Sequence, residues 1–327
     1  MNREVTLDKK NNTVLKRAIA GNGLSISIII LLVLLAIAAI LVPKVFQMQN
    51  LDNVLRLYAP AGIMAIGLSL VMFTAEIDIS VGAIMNLSMA AGALVLDMNE
   101  IGAFFLILGV GVVCGLVNGI LVTKTKTQSL MITIGTLSVY NGLAAILVNA
   151  QPKYISNIYT FLNMMGKENV LGLPIPFFIC VVLAVIFCFL MAKTRFGKQT
   201  YYVGANKRAA WMGGVDIDKV RIICFTISGL LAALSGPLLA AQIGSASIDM
   251  GTGYEVTAIS IAVLGGVSLD GGRGSVLGTL CGMITMGILL NMLSLLGLGT
   301  YAAKTLQGAL IIGIVCLYGF LRRRANR

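Results

Sequence analysis

The segment KTRFGKQTYYVGANKRAAWMGGVDIDKVR, residues 193–221, is the one long, strongly charged break in an otherwise apolar chain. It holds seven lysines and arginines against two aspartates. Asn206 is a good helix N-cap and Gly213-Gly214 is a helix stop, so the sequence between them predicts a short helix over residues 207–212. Six apolar segments precede this break and four follow it.

The composition is that of a membrane protein. Of the 327 residues, 58% are hydrophobic and 11% are charged, whereas a soluble domain carries roughly a quarter charged residues. Continuous apolar runs of about 20 residues favour α-helices, because the strands of a β-barrel would be short and alternating. We therefore predict an all-α, polytopic transmembrane helix bundle without a second soluble domain.

The apolar runs predict about ten spans. The first is interpreted as an uncleaved span and not as a signal peptide, because its Ala36-Ile37-Ala38 triplet lies inside the run. The segments at 80–97 and 254–268 are short and contain glycine, so either could be a half-span or a broken helix. The predicted spans are residues 24–42, 51–73, 80–97, 100–122, 130–149, 172–192, 221–243, 254–268, 274–298 and 302–320.

The basic residues predict the orientation. With ten crossings and both termini in the cytoplasm, 19 of the 24 lysines and arginines fall on the cytoplasmic side, which is the positive-inside asymmetry. Two five-span halves would be inverted relative to each other because five is odd, although the halves show no convincing sequence alignment. The predicted domains are a cytoplasmic tail (1–22), a transmembrane domain (23–320) containing the cytoplasmic segment 193–221, and a second cytoplasmic tail (321–327).

Absent motifs exclude several function classes. The sequence has no histidine, no GxxxxGK[ST] loop and no Ser/His or Cys/His nucleophile pair, so we predict no catalytic residue, metal site or cofactor in this chain. The six cysteines lie in apolar segments and predict buried free thiols. The net charge of +11 is spread between spans, which argues against nucleic-acid binding. The carboxylates lie at segment ends, which disfavours an ion-coupled carrier.

Two turns carry further candidate residues. The first is TAEIDISVG at residues 74–82, and the second is LGGVSLDGGRGS at residues 264–275. Each places an acidic residue between two apolar spans, beside small residues that permit a tight backbone. A well-built turn in a packed bundle is the alternative to a functional role. The candidate residues are Glu76, Asp78, Gly82, Asp270, Gly272, Arg273 and Gly274.

Three ordered motifs resemble those of the ribose-type ABC sugar permeases, in the branched-chain amino acid/ribose permease superfamily. EIDISVGA at 76–83 is similar to their GIDLSVGS signature, and LGGVSLDGGRGSVLGT at 264–279 is similar to their second signature. Residues 194–221 look like their cytoplasmic loop. The resemblance covers roughly residues 50–320. Glu76 departs from the family, which usually has glycine there, and the sequence does not say what this charge changes.

The resemblance implies the transmembrane subunit of an ATP-driven importer for a monosaccharide, such as ribose, in the bacterial inner membrane. The implied partners are ATP-binding cassette ATPase subunits that bind the ATP, an extracytoplasmic sugar-binding protein and a second permease copy, identical or paralogous. The short helix would be the coupling helix, and lipid would surround the spans. The residues assigned to coupling are Asn206, Lys207, Arg208, Ala209, Ala210 and Trp211.

The coupling assignment has a physical basis and an alternative. Ala209 and Ala210 are small enough to lie against a groove in the ATPase, while Lys207 and Arg208 can pair with charges at its rim. An amphipathic connector on the lipid surface, anchored by Trp211, is the alternative.

The substrate pathway is assigned to four polar residues in apolar segments, because a sugar needs hydrogen-bonding partners. Interhelical hydrogen bonds are the alternative role for each of them. Other functions remain open: a permease for an autoinducer-2-like furanose, a nucleoside or a branched-chain amino acid, an ion-coupled secondary carrier, or a membrane-embedded enzyme. The pathway candidates are Asn86, Ser88, Tyr140 and Asn141.

Overall fold

The computed structural model describes residues 23–155, 159–247, 249–299, 301–309, 312–313 and 316. The helices are α1 (Gly23–Leu41), α2 (Met48–Phe73), α3 (Val81–Val95), α4 (Glu100–Thr125), α5 (Ser129–Leu147), α6 (Thr160–Lys167), α7 (Ile175–Lys193), α8 (Arg195–Ala205), α9 (Lys207–Met212), α10 (Ile217–Ile243), α11 (Tyr254–Leu264) and α12 (Val276–Leu295). The short strands are β1 (Lys153–Tyr154), β2 (Asn169–Val170), β3 (Leu173–Pro174) and β4 (Ser245–Ala246). Pro43–Phe46 is a 3₁₀-helix, and residues 301–309 are helical.

Seven of the described helices are long and apolar enough to cross a membrane: α1, α2, α4, α5, α7, α10 and α12. The all-α, polytopic class is therefore confirmed. Helices α3 and α11 have 15 and 11 residues. At the helical rise they extend about 22 and 16 Å, short of a hydrocarbon core of about 30 Å. The predicted tails, 1–22 and 321–327, lie outside the described residues. Of the predicted span 302–320, residues 302–309, 312–313 and 316 are described.

Helices α2 and α10 form the centre of the bundle. In their apolar windows 78% and 67% of the residues are buried, compared with 11% in α1. Gly67 of α2 lies against Ser228 of α10, so the two backbones approach closely. Asn50 of α2 and Asn291 of α12 exchange two hydrogen bonds of 2.8 and 3.0 Å. The peripheral helices α1, α5 and α7 present apolar side chains outward, as expected for contact with lipid or another subunit.

Helix α4 packs on α10 through a glycine stripe. Gly111, Gly115 and Gly119 recur every four residues and therefore lie on one face of α4. A side chain at any of the three would meet the backbone of α10 between Ile222 and Gly229. The stripe lets the two long helices approach without intervening side chains.

The segment 193–221 is more helical than predicted. The sequence predicts one short helix there, and this helix is confirmed as α9, but α8 precedes it and α10 begins at Ile217. Each helix has its own N-cap: the side chains of Thr194, Asn206 and Asp216 accept hydrogen bonds from the backbone amides three residues later, at 3.1, 3.0 and 3.0 Å. Each cap begins a new helix, so α7, α8, α9 and α10 follow one another with only short connections.

The opposite end of the bundle holds the strands. Strand β1 pairs with β4, with Lys153 opposite Ala246, and β2 pairs with β3. The region between the predicted spans 130–149 and 172–192, for which the sequence predicts no helix, contains α6. Asp97 accepts hydrogen bonds from Lys153 and Tyr159, which lower the pKa of Asp97, while the hydrogen bond to Asp97 raises the pKa of Tyr159 to about 12. These contacts tie the end of α3 to the region before α6.

The cysteines are only partly as predicted. Cys114, Cys180 and Cys224 are buried free thiols. Cys188 and Cys281 are half-buried and Cys316 is exposed, so a position in an apolar segment does not by itself bury a thiol within this chain. No group of three or more possible metal ligands occurs among the residues that the structure describes.

Candidate functional site

The two candidate turns are in contact at one end of the bundle. The first joins α2 to α3, and the second joins α11 to α12. The amide of Gly272 donates a 2.9 Å hydrogen bond to the carbonyl of Phe73, the last residue of α2. A side chain at Gly271 would overlap Ala75. Gly271 and Gly272 also have positive φ angles of 79° and 67°, so both the close approach and the backbone conformation require glycine.

The C-terminal end of α8 packs on both turns. Gly204 lies directly against the carbonyl of Phe73, where even a methyl group would overlap the backbone. The hydroxyl of Tyr201 donates to the carbonyl of Gly274 at 3.1 Å, and the Tyr201 ring lies 4.9 Å from that of Phe73. We refer to residues 74–80, 265–275 and 201–205 as the turn junction.

Glu76 links the turn junction to α9 and α10. Its side chain is 6% exposed. Its Oε1 atom accepts a hydrogen bond from Nζ of Lys207 at 2.7 Å and another from Nη2 of Arg221 at 2.6 Å. Lys207, predicted to pair with a charge on a partner, is therefore paired within this chain, and Arg208 is left as the charged coupling candidate that faces outward. The sequence shows that Glu76 replaces the glycine usual in the family, but it does not show which residues pair with it. Arg221 was not among the predicted functional residues. Its only sequence signal is a basic residue at the boundary of an apolar span.

A buried polar chain continues from the first turn into the bundle. Oδ1 of Asp78 accepts hydrogen bonds from the amide and the hydroxyl of Ser80, at 3.0 and 2.6 Å. The side chain of Asn118 in α4 donates to Ser80 at 2.7 Å, and the hydroxyl of Tyr140 in α5 donates to Asn118 at 3.0 Å. Tyr140, predicted for the pathway, therefore makes an interhelical contact here. Asn118 was not among the predicted site residues, although an amide side chain inside an apolar span is a visible signal in the sequence.

The outward-facing surface of α9 carries both charged and apolar side chains. Arg208 and Ala209 are exposed, and Trp211 and Met212 are each 69% exposed. Ala210 is buried in the core of the chain itself at 6% exposure, so the prediction that it faces a partner is wrong. Successive helical residues point about 100° apart, and Ala210 is the position turned toward the bundle.

The other residues predicted for the two turns differ in their surroundings. Gly82 lies against the carbonyl of Gly251 and the carboxylate of Glu255, which leaves no room for a side chain. The start of α3 therefore packs against the segment that precedes α11. Asp270 and Arg273 are exposed at the tip of the second turn.

The pathway candidates take part in hydrogen bonds or are buried. Asn86 donates to Asn141 at 3.0 Å and accepts from the amide of Gly251 at 2.6 Å. Ser88 is fully buried, and its hydroxyl has no hydrogen-bond partner among the described residues. A cavity beside Asn86 has room for about one water molecule, so it is too small for a monosaccharide. Its lining is Asn86, Met89, Ala90, Ala93, Val148, Ala246 and Ser247.

Residues 50–315 match the family described as the branched-chain amino acid transport system permease component. The chain belongs to this permease family. It is 38% identical over 290 residues to the ribose import permease protein of Bacillus subtilis, covering 88% of this chain and 90% of that protein. It is 35% identical over 291 residues to the ribose import permease protein of Escherichia coli K12, with the same shares. No solved structure matches the chain.

The resemblance to ribose-type ABC permeases is confirmed by these relatives. A third, the L-arabinose transport system permease protein of Escherichia coli K12, is 31% identical over 308 residues, covering 92% of this chain and 91% of that protein. The permease is a multi-pass protein of the inner membrane and a subunit of an ABC transporter. The turn junction and helices α8 to α10 all lie within the matched residues.

Proposed function

We propose that the permease forms the translocation pathway of an ATP-driven importer for ribose or a similar pentose. This proposal rests mainly on the 38% and 35% identity to two ribose import permeases, over most of this chain and of each relative. L-arabinose is the second candidate, because a permease for that sugar is 31% identical over 92% of this chain. The partners are ATPase subunits, an extracytoplasmic sugar-binding protein and a second permease copy.

Competition between sugars tests the substrate. The complete complex, reconstituted in liposomes with its ATPase and binding protein, is expected to import radiolabelled ribose only when ATP is present on the ATPase side. Excess unlabelled ribose should abolish uptake, and excess L-arabinose should inhibit it less. Preferential inhibition by L-arabinose would favour the second candidate, and uptake of neither pentose would contradict the proposal.

Helix α9 is the proposed coupling helix. Its exposed Arg208, Ala209 and Trp211 give it a charged group, a small residue and an aromatic anchor on one short element. Interface cores favour aromatic side chains and arginine. Movement of α9 by the ATPase would switch the pathway between inward- and outward-facing states.

The permease purified without other subunits is expected to hydrolyse no ATP. The reason is that the sequence has no phosphate-binding loop of the GxxxxGK[ST] type. A phosphate-release assay on the detergent-purified chain tests this, with the reconstituted complex as the positive control. Hydrolysis that persists after every co-purifying subunit has been removed would contradict the assignment.

The proposed topology has ten crossings, with both termini and residues 193–221 in the cytoplasm. In this topology the short helices α3 and α11 cross together with the non-helical residues that flank them. Cysteines introduced at Lys198 and Lys153, in a background without reactive thiols, should react oppositely with a membrane-impermeant reagent. In intact cells we expect labelling at position 153 and none at position 198. Labelling at position 198 from outside would reverse the orientation.

Helix lengths support an inverted repeat of two five-helix halves. Helices α1 and α7 each have 19 residues, and α2 and α10 have 26 and 27. In both halves a short apolar helix follows, α3 or α11, and then a long one, α4 or α12. The same order of lengths on each side of the centre is typical of transporters built from two repeats.

A further inference from the structure

Glu76 binds two cations that belong to different segments. Lys207 is the first residue of α9, and Arg221 lies in the first turns of α10. Both donate to the same oxygen, Oε1, at 2.7 and 2.6 Å. Glu76 itself follows the end of α2 by three residues. One buried carboxylate therefore connects α9 to the ends of two central helices.

The two ion pairs differ in exposure. The side chain of Arg221 is 10% exposed, whereas that of Lys207 is 47% exposed. A buried charge needs its partner, because removing the partner leaves an uncompensated charge in a low-dielectric environment. A half-exposed lysine can regain water when its pair opens. The pair with Arg221 is therefore the permanent one, and the pair with Lys207 is the one that can open and close.

Helix α9 needs external contacts to keep its orientation. It has only six residues, and helices of this length have little stability of their own. Ala210 supplies a buried methyl contact on one side. Lys207 supplies a second attachment at the N-terminal end. Lys207 and Ala210 are three residues apart and therefore lie on the same side of α9, nearly one turn apart along its axis. Two attachment points separated along the axis fix the direction of a short helix, whereas one does not.

We propose that Glu76 is a positioning residue, which holds α9 to the turn junction through Lys207 while Arg221 holds the carboxylate in its orientation. Displacement of α9 is then transmitted through the Lys207–Glu76 ion pair to the turn that precedes α3. From Glu76 the connection continues through Asp78 and Ser80 to Asn118 in α4. The role in coupling rests on the proposed function, because it assumes that α9 receives the ATPase, whereas the attachment of α9 does not depend on that function.

The attachment is tested on the permease alone by hydrogen–deuterium exchange. In Lys207→Met, the amides of Ala210, Gly213 and Val215, which donate to carbonyls of α9 and its cap, should exchange faster. A partly exposed ion pair accounts for up to about a fivefold change in such an opening equilibrium. Lys207→Arg should restore slow exchange. Lys198→Met removes an exposed lysine of α8 and should leave the exchange unchanged.

The coupling role is tested on the reconstituted complex by measuring ribose uptake and ATP hydrolysis together. Lys207→Met should still co-purify with the ATPase and hydrolyse ATP, but the ATP consumed per ribose imported should rise by up to about fivefold. Lys207→Arg should restore the wild-type ratio, which a purely structural defect would not predict.

Three results would overturn the inference: unchanged exchange in Lys207→Met, an unchanged ratio of ATP to ribose, or loss of ATPase co-purification in that variant. The last would make Lys207 a docking contact. Failure of the proposed function has a different signature, because the wild-type complex would then show no ATP-driven uptake while faster exchange in Lys207→Met persisted.

Discussion

Gly204→Ala is expected to destabilise the permease and abolish transport. The added methyl group would overlap the carbonyl carbon and oxygen of Phe73 and the amide of Gly272. These are backbone atoms, so no side-chain rotation can relieve the overlap. Overpacking of this kind costs typically about 1–3 kcal/mol and occasionally more. Thermal unfolding of the purified protein and uptake in the reconstituted complex measure the two effects.

Gly142→Ala is the matched control for this substitution. Gly142 lies within α5, and apart from its chain neighbours and the backbone of its own helix no described atom lies within 4 Å of the place that its methyl group would take. An alanine in a helix interior is favoured over glycine by about 0.5–1 kcal/mol, so this variant should be as stable as the wild type or more stable. If both variants behave alike, α8 does not pack on the turn junction in the way described.

The all-α, polytopic architecture could be predicted from the sequence, because the length of an apolar run can be read from local composition. The doubtful segments 80–97 and 254–268 are α3 and α11, and the cap at Asn206 begins α9 as predicted. Helix α8 was missed. Its residues Arg195–Ala205 are mostly polar, small or aromatic, and its burial against Phe73 is a long-range contact that no local pattern contains.

The candidate site could be predicted only in part. The glycines of the second turn predict a tight backbone. They do not predict that Gly271 contacts Ala75 or that Gly204 packs against both turns. The charge of Glu76 is visible in the sequence, whereas its pairing with Lys207 and Arg221 spans 131 and 145 residues. Contacts at such separations depend on how the helices pack, so a motif locates the residues without giving their partners.

The turn junction suggests why both turns and the coupling segment carry recognisable motifs. Phe73 is fully buried, directly precedes the first turn and contacts the other two elements. Its carbonyl accepts from Gly272 of the second turn, and its ring and backbone lie against Tyr201 and Gly204 of α8. Helix α2 ends at this point. A rigid junction at the end of a central helix can pass a displacement of α8 and α9 to the bundle, because close-packed backbones deform little.

Ala209→Arg is expected to abolish ATPase binding without unfolding the permease. Ala209 is exposed on α9, beside Arg208 and near Trp211. If α9 docks in a groove of the ATPase, an arginine at this position forces a bulky charge into a packed interface. Such a clash costs a few kcal/mol, about a hundredfold or more in affinity. Co-purification with the ATPase and ribose uptake should both be lost, while thermal unfolding of the isolated permease stays unchanged.

Two further arginine variants distinguish a docking contact on α9 from a general effect of added charge and from a folding defect. Ala192→Arg adds the same charge at an exposed position near the end of α7 and should retain ATPase binding. Ala210→Arg places the charge in the permease core and should lower the stability of the isolated chain, which Ala209→Arg should not. A connector lying on lipid predicts the opposite for Ala209→Arg, because an added arginine at the cytoplasmic membrane surface is neutral or favourable. Wild-type co-purification of Ala209→Arg would therefore exclude α9 as the coupling helix.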